Sequence, residues 1–240
     1  MARFVFVHGS WQGAWCWRGI LPLLVTQGHE AIAIDLPGHG EDRSPVEAVT
    51  FQDYVDRTLD AVRASPEPPI LVGHSMGGAI ISQAAECLPD RIRGLVCVAA
   101  LTPPNGVSMM KLVEEFDPEY LAQIQWALDR RTVRISPEGA REFLYPHCPP
   151  GTVESALPLF TAEPLAPYET PLSLTEANFG RVPRYYVECL RDRVVPIALQ
   201  RTMRSAFPFV QVYSLDTDHS PFFSTPKALA VMFHAIAAQS

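Results

Sequence analysis

Basic charge is scarce in this chain and nowhere concentrated. Its 19 lysines and arginines face 26 aspartates and glutamates, for a formal net charge of −7. The densest basic stretch, Arg130-Arg131-Thr132-Val133-Arg134, reads as a solvated surface face, and the charge balance argues against a nucleic-acid partner. Long apolar runs are missing as well. Nothing approaches the roughly 20 consecutive apolar residues of a membrane span. The apolar run at the amino terminus is too short for a signal peptide and goes straight into a strand, so a cytoplasmic location is expected. Cysteine is sparse and odd in number: Cys16, Cys87, Cys97, Cys148 and Cys189 are widely spaced and sit mostly in apolar segments. They read as buried thiols in a reducing compartment. No pair or quartet has metal-ligand spacing, and no metal or cofactor is expected. Internal repeats and low-complexity tracts are absent. The composition, 48% hydrophobic against 19% charged over 240 residues, is that of a globular chain with one sizeable core.

Within that composition the stretch Val72-Gly73-His74-Ser75-Met76-Gly77-Gly78 stands out. Pro69 to Val72 reads as a short buried strand and Ala79 to Cys87 as a helix, so Gly-His-Ser-Met-Gly falls on a strand-to-helix turn. That is the context of a nucleophile elbow. Such a turn strains the backbone of the serine and leaves no room for bulk beside it, hence glycines two residues before and two after Ser75. The bland reading is a glycine-rich turn with a solvated serine, which the rest of the chain argues against by supplying partners.

Taken in order, Arg3 to Val7 is a strand running into the glycine-punctuated loop His8-Gly9-Ser10-Trp11-Gln12-Gly13. Trp17 to Gln27 has helical spacing, Ala31 to Leu36 is a strand, and Phe51 to Ala64 is an amphipathic helix. Gly94 to Ala100 is a continuous apolar strand. Strand and helix alternate throughout, the signature of a mostly parallel, doubly wound α/β sheet of about six strands. From Leu101 to about Gly180 the alternation fails. Helical patches at Met109–Glu115, Pro118–Leu128, Glu138–Leu144 and Val153–Leu159 predict a mostly helical cap inserted after the fourth strand. Residues 1–100 and 181–240 would form the core and 101–180 the cap, all one folding unit. Arg184 to Leu190 and Val210 to Leu215 resume the sheet, with helices at Pro196–Phe207 and Thr225–Ala238.

A serine hydroxyl needs a base to become nucleophilic. Among the chain's 7 histidines, His219 follows the last strand, where such a base belongs. His8, His29, His39, His74, His147 and His234 read as structural. The imidazole in turn needs a carboxylate. Asp192, just after the preceding strand, fits the chain order Ser, Asp, His. Asp216 and Asp218 lie on the histidine's own loop and read as turn formers. For Asp192 the competing role is an ion pair with Arg191 or Arg193. An oxyanion would be met by the amides of Met76, at a helix amino end, and of Ser10 in the first loop. The rival reading of Ser10 is a cap or turn residue.

With these residues assembled, the chain resembles an α/β-hydrolase of the plant methylesterase and hydroxynitrile lyase branch and its bacterial esterase relatives. The resemblance rests on His8-Gly9-Ser10-Trp11-Gln12-Gly13-Ala14-Trp15, on Gly73 to Gly78, on Asn178-Phe179-Gly180-Arg181-Val182-Pro183, and on Asp218-His219 followed by Pro226. It covers nearly the whole chain and is weakest from about 101 to 175. It implies Ser75 as nucleophile, Asp192 and His219 as its partners, and Ser10 and Met76 as oxyanion donors. The lyases of the branch carry threonine where this chain has Gly9 and lysine where it has Ser220.

The expected function is therefore a serine carboxylic ester hydrolase acting through an acyl-enzyme on small apolar or aromatic esters, methyl esters among them. Alternatives are a lyase or C–C bond hydrolase on the same triad, a perhydrolase, or a ligand receptor with residual hydrolase activity. Dehalogenase and typical epoxide hydrolase chemistry needs an aspartate in place of Ser75. Met109, Met110, Phe116, Trp126, Phe143, Tyr145 and Phe160, with Trp11 and Phe222 at the base, are candidate pocket residues. The expected partner is a small-molecule ester, with no nucleic acid and no membrane; a homodimer is left open.

Overall fold

The computed structural model describes all 240 residues. The chain opens with β1 (Arg3–Val7), a helical turn at Ala14–Trp17, α1 (Leu21–Thr26), β2 (Glu30–Ile34), α2 (Phe51–Ala64), β3 (Ile70–His74), α3 (Gly77–Cys87) and β4 (Gly94–Val98). An insert then carries α4 (Met109–Val113), α5 (Pro118–Leu121), β5 (Ile124–Trp126), β6 (Thr132–Ile135), α6 (Pro137–Gly139) with a π-turn over Ala140–Leu144, α7 (Thr152–Ala156), β7 (Glu163–Pro164) and α8 (Ala166–Glu169). The chain closes with β8 (Arg184–Cys189), α9 (Ile197–Ser205), β9 (Gln211–Leu215), α10 (Pro221–Ser224) and α11 (Pro226–Gln239). No helix is long and apolar enough to cross a membrane.

The main sheet has six strands in the order β2-β1-β3-β4-β8-β9, every pairing parallel. β3, β4 and β8 are buried along their whole length, as continuous apolar runs in a parallel sheet must be, while the edge strands β2 and β9 are partly exposed. The order reverses at β1, which lies between β2 and β3, and open α/β sheets place their crevice at such a point, beyond the strands' carboxyl ends. Val7 pairs with Gly73, so the loops leaving β1 and β3 emerge side by side. Cys189 pairs with Leu215, which does the same for the loops leaving β8 and β9.

The helix on Phe51–Ala64 starts and stops where its residues predict. Thr50 and Asp53 form a reciprocal capping box, the Asp53 N–H donating to Thr50 Oγ1 at 3.2 Å and the Thr50 N–H to Asp53 Oδ2 at 2.8 Å. Its Tyr54, Val55, Leu59 and Val62 face is buried.

Three local expectations are corrected. The helix predicted from Trp17 begins only at Leu21, after a separate turn whose Trp15, Cys16 and Trp17 are buried. The helix predicted over Pro118–Leu128 ends at Leu121, because Ile124–Trp126 turns into a strand. Strands β5, β6 and β7 form a three-stranded antiparallel sheet, so the insert, whose regular structure is otherwise helical, carries an unexpected small sheet. Leu121, Ile124 and Leu128 mimic a helical stripe, whereas Thr132, Val133 and Ile135 supply the β-branched partner strand that wins. The hairpin turns at Arg130, which adopts a left-handed φ of 56°. Among the thiols, Cys16, Cys97 and Cys189 are buried, but Cys87 is exposed and Cys148 half-buried.

Core and insert share one hydrophobic cluster, in which Phe116, Tyr120, Val133 and Phe143 join the sheet residues. Strand β3 and helix α3 meet without room for a methyl group. A Cβ on Gly73 would lie 2.4 Å from the Gly77 carbonyl oxygen, and one on Gly78 would lie 2.6 Å from the Leu101 oxygen. Backbone cannot yield there as a flexible side chain could. Gly73→Ala is expected to destabilise the fold by about 3 kcal/mol, the upper range for overpacking, and to lower Tm by roughly 6–12 °C for a chain of this size. A variant melting within about 2 °C of wild type would show that the turn has slack.

Candidate active site

Ser75 follows the last residue of β3 with φ of 53°, a left-handed conformation that non-glycine residues rarely adopt. Its neighbours over-determine it. The Ser75 N–H donates to the Val98 carbonyl at 3.2 Å, and the Ser75 carbonyl accepts from the N–H groups of Gly78 at 3.0 Å and Leu101 at 2.9 Å. Helix α3 starts immediately after, with Met76 at its cap position. The N–H groups of Met76 and of Ser10 find no acceptor within the protein, and they belong to the two loops that β1 and β3 deliver side by side.

The strand pair β8 and β9 delivers the other two predicted residues. His219 Nδ1 donates to Asp192 Oδ2 at 2.7 Å, with both side chains buried. Asp192 is satisfied on both oxygens: Oδ1 accepts from the amides of Val194 at 2.8 Å and Val195 at 2.9 Å, and Oδ2 also takes the Gln200 amide at 3.2 Å. Its flanking arginines point elsewhere, Arg191 to Asp216 and Arg193 to Glu119 and Glu142. Asp218 is buried and serves its own turn, accepting from the Ser220 N–H at 3.1 Å, the Ser224 hydroxyl at 2.8 Å and the His147 N–H at 2.8 Å. Ser75 and His219 line one narrow cavity together with Ser10, but no hydrogen bond joins the serine hydroxyl to the ring here. Such contacts commonly tighten only around substrate.

Two further histidines near the site, His74 and His8, are held by structure. His74 donates from Nε2 to the His219 carbonyl at 2.8 Å, its ring edge-on to Phe222, and burial depresses its pKa well below the usual imidazole range. His8 accepts the Leu36 N–H on Nε2 at 3.2 Å, so its Nδ1–H donates to the Gly9 carbonyl at 2.8 Å, and burial takes its pKa down to about 4.

Beyond the cavity opens a pocket of about 280 Å³, in which every lining residue but Glu163 is hydrophobic. The two spaces share Trp11, Phe116, Tyr120 and Tyr168. Of the predicted pocket residues, Met110, Phe116, Trp126 and Trp11 line it. Met109, Phe143, Tyr145, Phe160 and Phe222 do not. Phe143 packs on Tyr120 and under the Arg193 guanidinium, Tyr145 against Phe160 and Phe223, and Phe222 behind His74. Three participants carry no sequence signal: Gln200, Tyr168 and Glu163. Tyr168 shares a 2.5 Å hydroxyl contact with Ser10.

The architecture and this arrangement define the class. The chain matches the model of the alpha/beta hydrolase family over residues 4–231 and belongs to that family. It is 31% identical to methylesterase 7 of Arabidopsis thaliana, over 98% of this chain and 96% of that protein. Two longer Arabidopsis relatives, 35% and 32% identical, are spanned over only 64% and 54% of their lengths. Among solved structures, the Arabidopsis methylesterase MES16 superposes with a TM-score of 0.89 at 26% identity, covering 100% of both chains. A pyrethroid hydrolase from Sphingobium faniae JZ-2 superposes with a TM-score of 0.87 at 29% identity, covering 100% of this chain and 99% of that one.

Gln200 is wholly buried and, besides Asp192, accepts the Cys189 N–H at 3.1 Å and donates to the Val195 carbonyl at 2.7 Å. Gln200→Leu would orphan these backbone groups. At about 1–3 kcal/mol for each buried group left unpaired, a loss of about 3 kcal/mol in chemical denaturation is expected. An unchanged denaturation midpoint would contradict this.

Proposed function

We propose that the chain is a serine carboxylic ester hydrolase. The observation that carries this reading is the strained Ser75 opening onto a cavity that it shares with His219, whose ring is tied to a fully satisfied Asp192. Ser75 Oγ attacks the ester carbonyl while His219 takes its proton, and Asp192 holds the tautomer that leaves Nε2 free. The unengaged amides of Ser10 and Met76 receive the oxyanion, aided by the amino end of α3. Collapse sends the proton from His219 to the leaving alcohol and leaves an acyl-Ser75. Water, deprotonated by His219, then releases the acid and restores the hydroxyl.

The pocket supports apolar or aromatic esters as the substrate class, and the methylesterase and pyrethroid hydrolase relatives agree with that chemistry. The lyase alternative is disfavoured at two positions. A Cβ on Gly9 would stand 2.8 Å from His74 Nδ1 and 2.9 Å from Ser75 Cβ, so the threonine of the lyases has no place beside this elbow. The residue after His219 is the uncharged Ser220, which leaves a departing cyanide without a cation. The unpaired thiols fit a reducing compartment, for which the cytoplasm remains our proposal.

Ser75→Ala should fold as wild type and lose at least about 10³-fold in turnover of p-nitrophenyl and aryl methyl esters. Asp192→Asn should lose about 10⁴-fold by holding the wrong tautomer. Wild type should be labelled by a fluorophosphonate and Ser75→Ala should not. Retained turnover in Ser75→Ala would refute the assignment, and tight ligand binding without turnover in wild type would favour a receptor.

A further inference from the structure

Trp11 is the second residue of the site with a left-handed backbone, at φ of 62°. A large aromatic residue keeps such a conformation only where its surroundings impose it. Here every polar group of Trp11 is bound by the insert. The backbone N–H donates to Glu163 Oε2 at 3.1 Å, the indole N–H to the Val133 carbonyl at 3.3 Å, and the Trp11 carbonyl accepts the Thr161 N–H at 3.0 Å. Glu163 is the one side chain in this clamp. It is 1% exposed, and its Oε1 accepts the Tyr54 hydroxyl at 3.3 Å from α2.

Resting on the esterase reading above, we propose that Glu163 is a positioning residue for the oxyanion loop. Its carboxyl locks Trp11 in the turn that presents the preceding Ser10 amide to the developing oxyanion, and the lock works in the neutral acid form. The carboxyl has no cationic partner. The titratable groups that face it are Tyr54 on α2, Tyr168 on α8, Tyr120 on α5, and His39, 3.6 Å from Oε2. His39 is itself held neutral by burial, with His8 and Asp42 beyond it. Burial accordingly raises the Glu163 pKa from 4.5 to about 8. Either protonation state can accept the Trp11 N–H, so ionisation changes charge more than geometry. It sets an uncompensated negative charge behind the loop that must stabilise another one.

The sign for stability follows from the same shift. The unfolded carboxyl ionises near 4.5 and the folded one near 8. Folding holds the proton between those values, and stability falls as pH rises through that window.

The test measures kcat and KM on an aryl ester from pH 5 to 10, with thermal melts, for wild type, Glu163→Gln and Glu163→Leu. Glu163→Leu should lose about 10²-fold in kcat at pH 7, the scale of one misplaced oxyanion donor, with KM within about threefold. Glu163→Gln, which still accepts the Trp11 N–H, should keep kcat within about fivefold at pH 7. Wild-type kcat should fall through pH 8 while that of Glu163→Gln stays level, and its Tm should gain on wild type between pH 5 and 8. Parallel pH profiles for wild type and Glu163→Gln, or an undiminished kcat in Glu163→Leu, would overturn the proposal. If Glu163→Leu does not fold, the Glu163→Gln profile decides alone. A wild type that cleaves no ester refutes the esterase reading and the catalytic role together, a result distinguished by a Glu163-dependent pH shift of Tm that persists.

Discussion

The structure depends on one tight contact, the meeting of β3 and α3 at Ser75. The serine is held at φ of 53° by three backbone hydrogen bonds, to Val98 at the end of β4, to Leu101 just beyond it and to Gly78 in the first turn of α3. Strain of this kind amounts to about 1–3 kcal/mol and persists only where the surroundings over-determine it. They do so because Gly73, Gly77 and Gly78 allow a close approach here, a Cβ on any of the three standing within 3 Å of other backbone. Every other feature of the site is placed relative to that contact. Strand β1 brings Ser10 beside it through the Val7 to Gly73 pairing, and β8 and β9 bring Asp192 and His219 from the other side.

A second strained residue, Trp11, answers to a different part of the molecule. Where the elbow is determined within the sheet and its first following helix, the candidate oxyanion loop is determined by strands β6 and β7 and the segment before β7, all in the insert. The two halves of the candidate machinery are thus built by different parts of the chain. The insert also walls the apolar pocket through Met110, Phe116 and Trp126, so on the proposed reading the element that would select substrate also shapes the loop of the candidate oxyanion donor.

Legibility in the sequence followed this division. The sheet strands, the helix on Phe51–Ala64 and the elbow could be read because their determinants are local: apolar runs, a capping box, glycines at fixed offsets. Asp192 and His219 could be placed because the parallel sheet brings the carboxyl ends of β8 and β9 together, and no competing role for Asp192 materialised once Arg191 and Arg193 were found paired elsewhere. The insert could not be read as well. Leu121, Ile124 and Leu128 match a helix as readily as an edge strand, and only pairing with Thr132–Ile135 decides between them. Gln200 and Glu163 were invisible for a stronger reason. Each acts through partners far away in sequence, and an isolated glutamine in a helix or glutamate before a proline looks the same whether buried or solvated.

Glu163 shows why a buried acid without a cation would be retained in a protein it destabilises. Raising its pKa from 4.5 to about 8 means that folding at neutral pH must take up a proton that the unfolded chain has given away, which is unfavourable. An apolar residue would avoid that cost and leave the Trp11 N–H, a buried donor in a left-handed turn, with no acceptor. The nearby Val133 carbonyl is already taken by the indole N–H, and the Thr161 N–H, itself a donor, is spent on the Trp11 carbonyl. A neutral side-chain acceptor would serve the geometry alone. A carboxyl serves it too, and adds a charge that grows as pH rises, so in the proposed mechanism the loop that would meet the oxyanion is coupled to proton concentration through a residue that acts on it by way of Trp11.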